Sequence, residues 1–118
     1  MTTTETAQSE LLAFALGFPE TWEDHPWGER VVKVGKKVFV FFGLPSDRLH
    51  LWVKLPVSGP MALAQPFCRP ATYGMGQHGW VAVDLAPEDE VPLDVLRDWV
   101  DESYRAIAPR RLVATLPR

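Results

Sequence analysis

Residues 25 to 43 read HPWGERVVKVGKKVFVFFG, and this stretch decides the fold. Val31 to Val34 and Lys37 to Phe42 are rich in β-branched and aromatic side chains, which fit a pleated surface. Only Gly35-Lys36 separates the two runs. A Gly-X pair suits a two-residue hairpin turn because glycine adopts positive φ without a Cβ clash. The expectation is an antiparallel hairpin with Lys33, Lys36 and Lys37 crowded toward its tip. In the second strand, simple alternation puts Val38, Val40 and Phe42 on one face and Phe39 and Phe41 on the other. Both faces are apolar, as in a central strand.

The flanking segments extend the sheet. Residues 48 to 55, RLHLWVKL, alternate cleanly: Leu49, Leu51, Val53 and Leu55 share one face, and His50, Trp52 and Lys54 the other. GWVAVDL at 79 to 85 is a second alternating strand. Before the hairpin, ETWEDHPWGE holds a short strand and a turn forced by Pro26 and Gly28.

Two helices bracket these strands. Residues 6 to 16 read as a short helix with Leu12, Ala15 and Leu16 as its apolar stripe and Leu11 at the flank. Gly17 and Pro19 end it. From Pro92 to about Ala108, the residues Leu93, Leu96, Val100, Tyr104 and Ile107 follow the spacing of a long amphipathic helix. Acids at its start and Arg105 near its end suit the helix dipole. Ser58-Gly59-Pro60 starts a further short helix, and 66 to 79 is a loop rich in glycine and proline. The order implies an α+β two-layer sandwich: an antiparallel sheet with helices on one face. One domain is expected over residues 1 to 118, with 1 to 5 as a flexible tail.

Composition narrows the function. The 118 residues carry a net charge of −3, unlike a generic nucleic-acid binder. The charge is polarised: residues 30 to 70 hold seven cations against Asp47 alone, whereas residues 84 to 102 hold eight acids against Arg97 alone. A basic face can therefore exist on an acidic protein. Cys68 is the single cysteine, which excludes an internal disulfide and fits a reducing compartment. The start, MTTTETAQSE, has no basic and apolar leader pattern, and no apolar run approaches the ~20 residues of a membrane span. A cytoplasmic protein without membrane association is expected.

Two constellations could carry function. In the first, Arg30, Lys33, Lys36 and Lys37 on the hairpin, extended by Arg48 and Lys54, offer phosphate contacts. Lysines neutralise phosphates without reading sequence. Trp52 lies beside Lys54 on the strand face opposite the leucines, where an unpaired base or flat ligand can stack. The bland alternative is a solvated turn whose charges block edge-to-edge aggregation. No helix with base-reading Arg, Asn or Gln is evident. In the second constellation, the loop Arg69 to Trp80 offers Tyr73, Gln77, His78 and Trp80 for a small ligand or protein partner. Against it stands a loop merely tied down by aromatic packing.

Catalysis has no visible machinery: no GxSxG, no converging acid and base, and Cys68 beside Arg69 as the one reactive-thiol candidate. His25, His50 and His78 lie too far apart in sequence for a metal motif. No catalytic residue, metal or cofactor is therefore assigned. Monomer and homodimer both fit, the latter if aromatic side chains on the open face need cover.

Taken together, the Gly-Phe-Pro after the first helix, HPWG, VGKKVFVFFG, LWVKLP, the GW-V-V-L strand and the DESYRAIAPRRL ending resemble the MmcQ/YjbR family, over roughly residues 10 to 112. The resemblance implies an α+β fold of the frataxin (CyaY) class. It also implies a DNA-binding role through a double wing of β-hairpins, which carries over as a basic wing at Lys33, Lys36 and Lys37 with Lys54 nearby. Frataxins are linked to iron through acids on the first helix. Here that region carries only Glu5 and Glu10, so no iron role is implied.

Overall fold

A computed structural model describes residues 3 to 117. The expected hairpin pairs Arg30–Val34 (β2) with Lys37–Gly43 (β3). Gly35 has φ +61°, the only positive φ in the turn, as in a type II′ geometry. Thr21–Asp24 (β1) pairs with β2 on one side, and Leu49–Lys54 (β4) with β3 on the other. The chain then passes through a short helix, Gly59–Leu63 (α2), to the sheet edge at Cys68–Pro70 (β5). It returns as Trp80–Leu85 (β6) between β4 and β5. The result is a six-stranded antiparallel sheet in the order β1-β2-β3-β4-β6-β5.

Thr4–Leu16 (α1) and Leu93–Ile107 (α3) pack on one face of this sheet, and a last turn, Arg110–Val113 (α4), adds buried Leu112. This is the α+β two-layer sandwich that the sequence implies. The core lies between sheet and helices. Leu49, Leu51 and Val53 meet Val81, Val83 and Leu85 across the β4–β6 register, beneath Leu96, Val100 and Tyr104 of α3.

Several local expectations change. α1 begins two residues earlier: the Thr3 hydroxyl caps the amide of Thr6, and Thr4 donates to the carbonyl of Asp47 at 2.7 Å. Residues 3 to 5 are thus anchored, and residues 1 and 2 of the expected tail lie outside the described residues. The buried stripe of α1 is Thr4, Ala7, Leu11 and Ala15, one step round from the one expected. Small residues there let the helix approach the sheet.

β3 does not alternate simply. Its register slips between Val32↔Val40 and Lys33↔Val38, which leaves Phe39 as a bulge. Phe39 and Val40 both enter the core, while Phe41 goes to the opposite face. β5 and α4 have no counterpart in the sequence reading. A three-residue edge strand flanked by prolines leaves no periodic signal, and proline is tolerated there because an edge amide needs no ladder partner.

Candidate nucleic-acid interface

The helix-free sheet face is built from the residues that alternate away from the core. Phe41 sits opposite Trp52 across β3–β4, with ring centroids 5.9 Å apart. Trp80 lies edge-on to Phe41 at 5.5 Å. His50 and Lys54 flank Trp52 on β4, and Arg69 projects from the edge strand opposite Ala82. The segments 43–46 and 72–75 rise on either side and turn this face into an open groove of about 500 Å³. Its surface includes Phe41, Trp52, His50, Arg69, Leu44 and Tyr73.

The wall that carries Tyr73 is held by close backbone packing. Gly76 sits so tightly under the loop that a Cβ there would lie 2.8 Å from Pro70 Cβ and 2.9 Å from the carbonyl of Ala71. Tyr73 itself is 92% exposed and has φ 60°, a conformation that L side chains seldom adopt.

The two sequence-derived constellations are redistributed. Arg30 lies at the Gly43 end of the hairpin and Lys36–Lys37 at the other, about 20 Å away along β3. Arg48 also lies at the far end, beside the start of β4, so the six cations do not form one patch. Three of them are already paired. Arg30 faces Glu23 at 3.2 Å, and Lys33 binds Asp24 at 2.8 Å with its ammonium 5.1 Å from the Trp22 ring. Arg48 Nε donates to Asp84 at 2.8 Å. These contacts have electrostatic signatures: the bond from Lys33 lowers the Asp24 carboxyl pKa, and the bond to Asp84 raises that of the Arg48 guanidinium.

Lys36, Lys37 and Lys54 have no carboxylate partner among the described residues. Across a shallow depression from Lys36 and Lys37 lies Arg110, a cation far from the hairpin in sequence. The start of α4 brings it there. Neighbouring Arg111 is neutralised by a two-point contact with Glu20 at 2.8 and 3.0 Å.

Of the loop candidates, only Tyr73 reaches the groove. Gln77 and His78 are exposed in a 3-10 turn away from it, and Trp80 is buried edge-on against Phe41 without lining the groove. The histidines stay apart: His25 contacts Glu23 at 2.7 Å near the first turn, and His50 faces Asp84 at 3.8 Å in the groove. Burial pushes the Cys68 thiol up to about 11, so Arg69 does not activate it. Phe41 and Arg69 complete the groove and were missed as site residues. Alternation put Phe41 on the correct face, but its pairing with Trp52 depends on the β3–β4 register, which one strand alone does not show, and Arg69 was missed because its strand left no periodic signal.

Comparison with known proteins agrees with this architecture. No curated protein matches the chain significantly. The crystal structure of Deinococcus radiodurans protein DR2400, a DUF419 domain, superposes with a TM-score of 0.75 at 22% identity. That alignment covers 94% of this chain and 85% of the other, and at this identity it speaks for the fold. No helix among the described residues is long and apolar enough to cross a membrane. The YjbR family model matches residues 16 to 106, which hold all six strands and nearly all of α3 but only the last residue of α1, and the chain therefore belongs to the YjbR family.

Proposed function

We propose that this protein is a non-catalytic binder of nucleic acid with low sequence specificity, which holds its ligand on the helix-free sheet face. The observation that carries the reading is the groove in which Trp52 and Phe41 lie beside Arg69, with unpaired Lys54 on the same face. Aromatic faces accept any base, and unpaired cations accept phosphate. Lys36, Lys37 and Arg110 at the hairpin tip supply further phosphate contacts. The absence of catalysis is supported by the state of Cys68 and of the buried serine on α3. The Cys68 thiol is pushed up by burial, and the hydroxyl of Ser103 is buried and bonded to backbone.

The experiment is an anisotropy titration of labelled single-stranded and duplex DNA at low and physiological salt, with Lys36→Glu/Lys37→Glu beside the parent. Binding should fall steeply with salt and weaken in the variant whatever the sequence. No binding at low salt would overturn the reading. It would favour a second one: a small flat acidic ligand in the groove, whose volume suits such a molecule. That ligand would bind with little salt dependence and would be lost on changing Trp52 or Tyr73.

A further inference from the structure

The geometry points to unpaired bases, not duplex, as what the groove takes, with Tyr73 as the stacking residue at its rim; this rests on the nucleic-acid reading above. The first argument is electrostatic. Duplex binding without base readout depends on a continuous track of cations along the phosphates. Here Arg30, Lys33 and Arg48 are each committed to a carboxylate, and the hairpin's free lysines stand at the end remote from Arg48. The groove itself holds Arg69, loosely placed 3.8 Å from Asp84, and His50, with the acidic Glu29 also in its lining. Such a sparse field cannot track a duplex, and within the groove it leaves the choice between paired and unpaired strands to the rings.

The second argument is the shape of the aromatic surface. Trp52 and Phe41 form a floor between two raised segments, and the outer faces of paired bases in a duplex are closed to a ring placed there. A base that has left the stack can reach it. The third argument is Tyr73 itself. A bulky residue with positive φ is costly, and an almost fully exposed aromatic ring gains nothing from burial in the free protein. Nothing in the fold uses this side chain, while its position on the wall sets the phenol beside the floor. A stacked base would supply the cover it lacks.

The test compares three short probes of equal length: oligothymidylate, the same strand with abasic sites throughout, and a duplex. Parent protein should bind oligothymidylate about 5- to 100-fold more tightly than the abasic strand, the range expected for base–aromatic stacking. Tyr73→Gly should bring oligothymidylate binding toward the abasic value. The same change should hold or raise the melting temperature, because glycine relieves the positive φ. Tyr73→Trp should restore binding. Equal affinity for the abasic and base-bearing strands, with Tyr73→Gly unchanged, would overturn the inference and leave a phosphate-only binder. Tighter binding to duplex than to single strand would also overturn it. Failure to bind any probe at low salt would overturn the nucleic-acid reading together with it.

Discussion

The side chain of Ser103, in the middle of α3, donates its hydroxyl hydrogen to the carbonyl of Phe39, the bulged residue of β3. The same oxygen accepts the amide of Lys54 at 2.8 Å. A bulge breaks the ladder locally and leaves backbone groups without strand partners. One buried hydroxyl from the helix layer satisfies two of them, so helix and bulge specify each other. Ser103→Ala leaves both groups unpaired in the core and should cost about 2–4 kcal/mol. Urea unfolding of the variant measures this, and a loss below about 0.5 kcal/mol would mean that water or a shift of the strand replaces the hydroxyl.

Gly76→Ala forces a methyl against Pro70 and Ala71, both backbone-proximal and unable to swing away. The loop that carries Tyr73 must then move. The expected result is a loss of about 1–3 kcal/mol in stability. Ligand affinity should fall as well, although Gly76 offers no side chain to any ligand. Unchanged affinity would detach the loop from the site.

Cys68 provides a pH signature. Its thiol is raised by burial from an ordinary 9.0 to about 11, so the folded state holds its proton where the unfolded state has lost it. The sign follows: this contribution to stability is intact below about pH 9 and declines as pH rises toward about 11. Cys68→Ser should flatten that part of the stability–pH profile. In the native protein at pH 8, alkylation by iodoacetamide should run about 100-fold slower than for a free cysteine, in proportion to the thiolate present. A rate like that of free cysteine would show the thiol to be accessible and unshifted.

The pairing of cations predicts which of them respond in DNA binding. Lys36→Gln and Lys37→Gln should each reduce the slope of log K against log salt by about 0.7–0.9, one released counterion apiece. Arg111→Gln should change it much less, because Glu20 already compensates that charge. Equal effects from all three would mean that the Glu20–Arg111 contact opens on binding.

Sequence alone determined the alternating elements. The β2–β3 turn, the strands at 49 to 54 and 80 to 85, and α3 were legible because side-chain direction repeats every two residues in a strand and about every 3.6 in a helix. That repeat is a local property and survives without knowledge of any neighbour. It also identified the face that carries His50, Trp52 and Lys54. The family pattern was legible for the same reason, as a succession of such elements in order.

Tertiary structure alone decided what the charges and the open face became. Arg48 meets Asp84 across 36 positions of sequence, and Arg111 meets Glu20 across 91. Whether a cation is free or neutralised depends on strand order and register, which no local pattern encodes. The β3–β4 register set Phe41 against Trp52, the bulge turned Phe39 from that face into the core, and the edge strand β5 with the loop after it carried Arg69 and Tyr73 to the same groove. Register and bulges depend on which strand lies alongside, so periodicity within one strand cannot foresee them. The sequence supplied the rings and the cations, and the packing of distant strands chose which of them meet.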